Sequence, residues 1–563
     1  MKFRAASSSS EGSMKKRSLV SVIGFGSMSL CAGLFAACGS SNAGTGPGGG
    51  GSNPDASSSN GGGNDGGGTQ GDAVSIMPGN DGGGPASGCT GLQCQIHTCT
   101  GGGSTTISGK VYDPAGNNPL YNVVVYVPNK TPDPLKTGAS CDSCSSLYTG
   151  DPIAAAVTDA TGAFTIKNAP DGANIPLVIQ IGKWRKQTTV ASVGMCTDTP
   201  IATKLTLPSK QSEGDIPSIA ISTGGADSLE CLLRRIGIDA SEYGPGASGS
   251  GRIHIFQGSA NTAGGTPNAA TTSPAAPLSA KALWDKVSDL MPYDITILSC
   301  EGEETLDLPG DGGLTSSDQQ NLVSYTSGGG RVFASHYHYS WFNTGPFATD
   351  NIATWTRGAN TINDSSNNPI TMPNTQSDFI NAVIQTTLPD GGAFAKGQAM
   401  DTWLGTVNAL NASDAAAPGE LRITQGKHNA DLAGLTNTPS QAWIAADKNA
   451  QTEVVSVNGV DGGTPVSVSG ATQYLSFNTP LDAGLDDAGE PSYCGRVVYS
   501  DLHVGGASGD YVGQGTSPIV PTGCANNPLS PQEKALEFML FDLSSCVTSD
   551  TGSGTQPPPA ILK

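Results

Sequence analysis

Basic residues are scarce in this chain, which has 28 Lys and Arg against 48 Asp and Glu in 563 residues. Charged residues make up only 13% of the total, and the formal net charge is −20. Because an acidic protein repels a phosphate backbone, nucleic acid is not an expected partner. The 77 Gly and 37 Pro residues argue against a coiled coil and indicate long turns and tethers.

The N-terminal apolar stretch, Leu19 to Leu34, is too short and too rich in Ser and Gly to be a convincing membrane span. It follows the basic run Lys15 to Arg17 and ends near Ala36-Ala37-Cys38, where small residues precede a cysteine. This pattern resembles a bacterial lipoprotein signal, which implies that Cys38 carries a lipid. A plain secretory signal or a transmembrane anchor is the alternative.

A low-complexity stretch follows this signal. Gly39 to Ala86 is almost entirely Gly, Ser, Asn, Asp and Thr, so it cannot bury apolar surface and is expected to be disordered. As a flexible tether it has a root-mean-square reach of roughly 40 Å. We therefore expect a signal and lipobox over 1–38 and a tether over 39–86. Gly39 stands where an inner-membrane retention signal needs an acidic residue, so resemblance to Gram-negative lipoproteins implies an outer-membrane anchor, on the periplasmic face or the cell surface.

The first folded segment, 87–208, contains short β-rich runs separated by turn signals, which favour a small antiparallel β-sandwich. Ile107 to Asp113, Asn122 to Val127 and Thr158 to Phe164 carry a pattern that resembles the carboxypeptidase regulatory-like domain. That resemblance implies a transthyretin-like sandwich with an accessory, non-catalytic role.

Six cysteines lie in this first segment. Cys141-x-x-Cys144 together with the others is compatible with a zinc site or a redox pair. An exported location favours three structural disulfides instead. Eleven cysteines follow Cys38, an odd number, so at least one is not bonded within the chain. The six predicted disulfide cysteines are Cys89, Cys94, Cys99, Cys141, Cys144 and Cys196.

The second folded segment, 215–547, alternates strand and helix signals and predicts a doubly wound parallel sheet. Sites in such sheets form at the carboxyl ends of the strands. A helix is predicted over Ser279 to Met291, and Ser530, Pro531 and Glu533 form a capping box for the last helix. We expect an inserted extension at about 343–470 and a disordered tail over 548–563. The predicted strands are 216–222, 252–256, 293–300, 331–337 and 495–503.

The order of Tyr293–Cys300, Ser317–Val323, Gly328–His336 and Gly495–His503 resembles the class I glutamine amidotransferase-like fold, and within it the trehalose-utilisation (ThuA-like) branch. That branch also places a His after the Gly-Gly-Gly strand and ends a late Gly-Arg-Val strand in His. The resemblance implies a flavodoxin-like α/β domain. The whole arrangement is similar to myxobacterial predicted lipoproteins of unknown role.

The chain departs from that family at the nucleophile. Amidotransferases place a Cys in a Gly-x-Cys-x-Gly elbow, whereas this chain has Ser335-His336-Tyr337 there, without the glycines. A nucleophile hypothesis uses Cys300 instead, at the end of the preceding strand. The alternative is that Cys300 is half of a disulfide or an inert buried thiol. The candidate bases are His336 and His338, and the candidate orienting residues are Glu301 and Glu303.

Only six histidines occur in the chain, and three of them are predicted at strand ends of one sheet. His336 and His338 are predicted on one side of a strand, so with His503 and Asp501 they form a candidate site for zinc or another divalent metal. Aromatic side chains nearby suggest a carbohydrate site instead, because aromatic faces stack on sugar rings. A hydrogen-bonded polar cluster is the third interpretation. The aromatic candidates are Tyr337, Tyr339 and Trp341.

Two function classes follow from these observations. The first is a non-catalytic envelope lipoprotein that binds a carbohydrate or another envelope ligand. The second is a hydrolase that uses the His336, His338 and His503 cluster, with a metal or with Cys300 as nucleophile. The missing elbow nucleophile favours the first class.

Overall fold

The computed structural model describes one compact unit, which lies within Asn80–Lys563. The proposed signal, lipobox and tether lie outside the described residues, and so do Glu303 and His503. None of the helices in the described part is long and apolar enough to cross a membrane. The described residues are 88–224, 227–258, 278–301, 304, 313–355, 361–363, 369–371, 379–410, 419–424, 428–447, 451–452, 466–467, 470–485, 489, 491–502, 524, 527–550, 552 and 554–562.

Strands dominate this part of the chain. The strands are β1 (Thr106–Tyr112), β2 (Val124–Pro128), β3 (Pro152–Val157), β4 (Ala163–Lys167), β5 (Gly172–Ile181), β6 (Trp184–Val193), β7 (Asp198–Pro200), β8 (Leu205–Thr206), β9 (Ile219–Ser222), β10 (Tyr243–Pro245), β11 (Ile253–Phe256), β12 (Ile295–Leu298), β13 (Arg331–Ser335), β14 (Thr354–Trp355), β15 (Thr361–Asn363), β16 (Pro369–Thr371), β17 (Phe379–Ile384), β18 (Leu421–Thr424), β19 (Ala430–Asp431), β20 (Gln441–Ala446), β21 (Gln451–Thr452), β22 (Val466–Ser467), β23 (Thr472–Thr479) and β24 (Gly495–Ser500). The α-helices are α1 (Cys144–Leu147), α2 (Leu229–Arg235), α3 (Lys281–Trp284), α4 (Val287–Leu290), α5 (Ser316–Ser327), α6 (Ala395–Thr406) and α7 (Pro531–Ser544).

Two small sheets form the first segment. In one, β1 pairs antiparallel with β4 and parallel with β7 and β8. In the other, the order is β3-β2-β5-β6 and all pairs are antiparallel. Alternate side chains of both sheets, such as Ile107 and Val125, join one hydrophobic cluster. The expectation of a purely antiparallel arrangement is therefore wrong for the first sheet, which is mixed.

A larger sheet forms the second segment, so the chain is mixed α/β as predicted. Within the described residues its order is β10-β11-β9-β12-β13-β24-β23-β20-β17-β18. The strands from β10 to β24 run parallel, and those from β24 to β18 run antiparallel. The extension predicted at 343–470 supplies three of these antiparallel strands, so it continues the sheet.

Helices cover both faces of the parallel strands, because successive side chains of a strand point to opposite sides. Ile219 and Ile221 of β9 join the cluster that contains α2 and α7, whereas Ala220 joins the one that contains α3 and α5. The first cluster also contains the core of the two small sheets. Trp184 of β6 packs against Phe541 of α7, with ring centroids 5.3 Å apart.

Helix boundaries follow local capping chemistry. The Ser530 side chain accepts the Glu533 backbone N–H and the Glu533 carboxylate accepts the Ser530 N–H, which confirms the predicted capping box. The helix predicted over Ser279 to Met291 is wrong as a single element, because Lys286 is extended (φ −141°, ψ 143°) and separates α3 from α4.

Disulfide bonds are present, but two do not pair as expected. Cys89–Cys94 and Cys99–Cys196 lie within the first segment, whereas Cys141 bonds Cys494 and Cys144 bonds Cys546. A fifth bond joins Cys231 to Cys524. The expectation of three bridges within the first segment is therefore wrong, and Cys141 and Cys144 fasten that segment to the large sheet. Cys300 is buried and keeps its thiol.

The C-terminal tail is also ordered where it is described, contrary to the expectation for 548–563. Gln556 is buried, and its backbone N–H donates to the Asn122 side chain at 2.6 Å. Tyr148 donates its hydroxyl proton to the Gln556 side chain at 2.5 Å. These hydrogen bonds dock the described part of the tail on the first segment.

Candidate functional site

The candidate site lies at the carboxyl ends of the parallel strands, where ligands bind in such sheets. The chain passes from β9 to β11 on one side and continues to β12 on the other, so β9 and β12 flank a topological switch point. Cys300 follows β12 there. A Cβ on Gly224, after β9, would stand only 2.1 Å from the Cys300 carbonyl oxygen, so this close approach requires glycine.

His336 follows β13, which ends two residues earlier than predicted. His336 has φ +42°, a left-handed value that is rare for a residue with a side chain, and it opens a 3-10 helix over His336–Trp341. His336 and His338 therefore do not share one face of a strand, and that expectation is wrong. The turn re-aims the His336 imidazole toward β12.

Three side chains form a line, which we call the Cys-His-Asn site. Cys300 Sγ lies 3.5 Å from His336 Nδ1, and His336 Nε2 lies 3.1 Å from Asn429 Oδ1. The proposed nucleophile and base are thus within hydrogen-bond reach for a sulfur atom. Asn429 precedes β19, so the extension of the large sheet delivers the third member.

Asn429 determines which imidazole nitrogen carries the proton. Its Oδ1 only accepts hydrogen bonds, so the His336 nitrogen that faces it, Nε2, must donate. Nδ1 of the neutral ring is then unprotonated and faces the Cys300 thiol. A thiol beside an imidazole that a third group orients is the arrangement of nucleophilic catalysis.

Asp501 and Tyr499 hold the members of this line. Asp501 Oδ2 accepts the backbone N–H groups of Asn429 at 2.6 Å and Ala430 at 3.2 Å. The Tyr499 hydroxyl lies 3.0 Å from the His336 carbonyl oxygen and 2.8 Å from Asp501 Oδ1. Burial raises the pKa of Asp501 to about 7, against the lowering effect of its hydrogen bonds.

His338 is a structural residue and not the base. Its Nε2 donates to the Ser299 carbonyl oxygen at 2.9 Å, and its Nδ1 accepts the Trp341 indole N–H at 3.1 Å. Burial lowers its pKa to about 4, so the ring is neutral at physiological pH. His338 thus holds the backbone that leads into Cys300.

The aromatic candidates do not form the rim of a pocket. Tyr339 and Trp341 are fully buried, and Tyr337 is 9% exposed. Tyr339 stacks on Trp355, and Trp341 meets Trp284 edge to face. The expectation that these rings stack on a sugar is wrong, because they pack in the protein core.

The metal hypothesis receives no support from the described residues. They contain no group of three His, Cys, Asp or Glu that could hold a metal ion. Both His338 nitrogens and both Asp501 oxygens are engaged by protein groups. The fourth predicted ligand, His503, lies outside the described residues. The predicted convergence of the three histidines in one pocket depends on His503 and therefore stays a prediction.

Asn429 takes the orienting role that was expected of a glutamate. Glu301 follows Cys300 and is buried, and a Cβ on Gly258 would stand 2.8 Å from its Oε1, so it faces the loop after β11. Glu304 accepts the hydroxyl proton of Tyr339. Nothing in the sequence around Asn429 marked it, because it meets His336 only in the folded chain, where Asp501 accepts its backbone N–H.

Comparisons with known proteins identify no family for this chain. No family model and no curated protein matches it. Two solved structures are interface mutants of a type II cohesin–X-dockerin complex from Acetivibrio cellulolyticus. They match at 17% and 16% identity over 26% of this chain and 78% of theirs, with TM-scores of 0.13 and 0.12. A 9R-lipoxygenase from Cyanothece PCC8801 matches at 18% identity over 19% of this chain and 16% of its own, with a TM-score of 0.11. Similarities this weak carry no argument.

Proposed function

We propose that this protein is a lipid-anchored envelope hydrolase that cleaves acyl bonds through a covalent thioester on Cys300. The observation that carries the proposal is the Cys-His-Asn line, with 3.5 Å from sulfur to Nδ1 and 3.1 Å from Nε2 to Asn429. Its position at the switch point of the sheet supports the same conclusion.

The chemistry follows from the proton positions. His336 Nδ1 takes the thiol proton while Cys300 Sγ attacks an acyl carbonyl carbon, whose π electrons move to oxygen. When that oxyanion collapses, the bond to the leaving group breaks, the leaving group takes the proton from His336, and a thioester remains. Water then loses a proton to Nδ1 and attacks the thioester, and the released thiolate regains the proton.

The architecture proposed for the two segments agrees with this role. For the first segment, two small sheets with a shared core support a transthyretin-like sandwich that acts as an accessory module. For the second, the sheet order β11-β9-β12-β13-β24 corresponds to 2-1-3-4-5 in chain order, the flavodoxin-like order. That order supports an amidotransferase-like scaffold in which His336 occupies the turn after β13.

Loss of the thiol or the base is expected to abolish esterase activity. With p-nitrophenyl acetate as the probe, Cys300→Ser and His336→Ala should each lower kcat/KM at least about 100-fold, because each removes one partner of the proton transfer. His97→Ala is the control, since that half-exposed histidine lies in the first segment and bonds Asp171. Equal activity in all four proteins would refute a catalytic Cys300.

A second candidate function, non-catalytic ligand binding, rests on two other observations. Cys300, His336 and Asn429 are all 0% exposed. A separate open cleft of about 540 Å³ lies at the opposite edge of the large sheet, where β23 ends and β24 begins. Its volume is in the range of small-ligand sites. Its lining includes Asn437, Gln441 and Tyr493.

Calorimetric titration with maltotriose and with N-acetylglucosamine trimer tests this second candidate. If the cleft binds sugar, one of the two trisaccharides should give a heat of binding with the wild type. Tyr493→Ala should weaken the affinity for that sugar at least about tenfold, whereas His97→Ala should leave it unchanged. Because Tyr493 is the aromatic ring in the lining, its removal takes away the stacking surface. Sugar binding with unchanged affinity in Tyr493→Ala would exclude the cleft as the sugar-binding site.

Membrane anchoring is proposed to depend on Cys38. Cys38→Ala should move the protein from the detergent phase to the aqueous phase on detergent partitioning, because the lipid would have no attachment point. Cys31→Ala is the matched control, since bulky Leu30 precedes Cys31, and it should stay in the detergent phase. If Cys38→Ala partitions into detergent as strongly as the wild type, the protein is not anchored through a lipid on Cys38.

A further inference from the structure

We infer that Asp501 is a positioning residue that holds the Cys-His-Asn site in its working geometry only while it is a neutral carboxylic acid. The catalytic consequence of this inference rests on the proposed function. Its structural part, a protonation-dependent hold on His336, is tested separately.

The Tyr499 hydroxyl lies between Asp501 and the backbone of His336. It has one proton but stands within hydrogen-bond distance of two oxygens, the His336 carbonyl at 3.0 Å and Asp501 Oδ1 at 2.8 Å. A carbonyl only accepts, and an ionised carboxylate only accepts. Both contacts are hydrogen bonds only if Asp501 Oδ1 carries a proton and donates it to Tyr499, which then donates its own proton to His336.

Ionisation of Asp501 would break this relay. A carboxylate is a stronger acceptor than a carbonyl, so the Tyr499 proton would turn to Asp501. The His336 carbonyl would then lose its Tyr499 donor, at a residue whose backbone is held at φ +42°. Such a conformation persists only when its surroundings hold it. The 3.5 Å approach of the imidazole to Cys300 depends on that turn.

The same carboxyl group also fixes the other end of the line. Its second oxygen accepts the backbone N–H groups of Asn429 and Ala430, which place the Asn429 side chain against His336 Nε2. A neutral acid keeps this oxygen as an acceptor. One protonated residue therefore holds the imidazole from its backbone side and from its Nε2 side.

The electrostatic surroundings favour the protonated form of Asp501 below about pH 7. Asp501 is fully buried, and desolvation is the largest influence on its pKa, which lies at about 7. The nearby His428 favours the ionised form, but it is itself paired with Asp431 at 2.7 Å. The other titratable groups facing the relay are Tyr499, whose pKa burial raises, and Cys300, His336 and Tyr339 beyond it.

The experiment compares wild type with Asp501→Asn, Asp501→Ala and Tyr499→Phe. An asparagine amide can donate to Tyr499 and can still accept the two backbone N–H groups, so it imitates the neutral acid at every pH. Tyr325→Phe is the control, because its buried hydroxyl bonds backbone oxygens near the opposite edge of the sheet.

The first readout is the midpoint of thermal unfolding between pH 5 and 8.5, which needs no activity. Because the folded-state pKa of Asp501, about 7, lies above its unfolded value, the folded protein binds the proton more tightly, so Asp501 should make wild-type stability fall as pH rises from 5 to about 7 and level off above it. Asp501→Asn should remove the part of that fall that Asp501 causes, whereas Tyr325→Phe should keep all of it. Other buried acids with raised pKa values, such as Glu537 and Asp294, keep their own contribution in every variant. A pH dependence identical in wild type and Asp501→Asn would overturn the inference, whatever the activity.

The second readout is the pH profile of p-nitrophenyl acetate hydrolysis. Wild-type kcat should decline above pH 7, and Asp501→Asn should hold its kcat there. Below pH 7, where wild-type Asp501 is neutral, Asp501→Ala and Tyr499→Phe should have a kcat at least about tenfold lower than wild type. An alkaline decline that remains in Asp501→Asn would also overturn the inference. If no protein hydrolyses the ester but Asp501→Asn still reduces the pH dependence of unfolding, the proposed function fails and the hold by Asp501 stands.

Discussion

Replacing Cys141, Cys144, Cys494 and Cys546 by Ala is expected to lower the free energy of unfolding by at least about 4 kcal/mol. The two lost bridges, Cys141–Cys494 and Cys144–Cys546, close loops of 353 and 402 residues. In the chain-entropy account, the loss grows with loop length because the unfolded chain regains more freedom. Whole domains are stable by only about 5–15 kcal/mol, so the variant should be close to unfolding at 37 °C. Urea denaturation of the unreduced proteins measures the difference.

The matched control for these bridges is Cys89→Ala with Cys94→Ala. That bond spans only five residues, so its removal should cost less, about 2 kcal/mol. Limited proteolysis should also cleave the four-alanine variant between the first segment and the large sheet much faster than the control. A loss of stability no larger than that of the control would contradict the view that the two bridges fasten the segments.

Arg496→Met is expected to destabilise the protein by about 3–5 kcal/mol, because it leaves buried carboxylates without a partner. Arg496 is 2% exposed and lies 2.9 Å from Asp550 and 3.2 Å from Asp542. The contact with Asp542 is ionic without a directed hydrogen bond. Lys396 lies 3.3 Å from Asp542 and 3.6 Å from Asp550, so it compensates only part of the charge. Urea denaturation at pH 7 measures the effect.

Lys186→Met provides the comparison for this network. Lys186 and Glu213 form a partly exposed ion pair at 3.6 Å, and such pairs contribute less than about 1 kcal/mol. If Arg496→Met costs no more than Lys186→Met, the buried network is not a major source of stability.

Local sequence signals predicted those parts of the fold that local physics determines. The capping box at Ser530 is a case, because its hydrogen bonds join residues three apart. The central strands β9 and β12 were predictable from apolar runs typical of buried parallel strands. The strand before His336 was predicted too long, since nothing local indicates that the backbone turns left-handed at a histidine. The partners of Cys141 and Cys144 were not predictable, because spacing alone cannot identify a residue more than 300 positions away.

The residues of the candidate site also divide into those that local sequence signals predict and those that only the folded structure brings together. Cys300 and His336 were predictable because each follows a strong strand signal, and parallel strands bring their carboxyl ends to one edge. Asn429 was not, because it comes from the distant extension and is held beside His336 by Asp501. The aromatic run after His336 suggested a binding surface, but the 3-10 helix turns Tyr339 and Trp341 into the core.

The sequence by itself determined the mixed α/β class, the fact that the six first-segment cysteines are in disulfides but not their partners, and a thiol and an imidazole at neighbouring strand ends. These follow from periodicity, composition and chemistry that act over a few residues. Only the tertiary structure decided that Asn429 faces His336 Nε2, that His338 is structural, and that the Tyr499 hydroxyl lies between Asp501 and the His336 carbonyl. Each of those outcomes depends on which distant segments pack together, and packing sets the distances and the burial that decide where the protons reside.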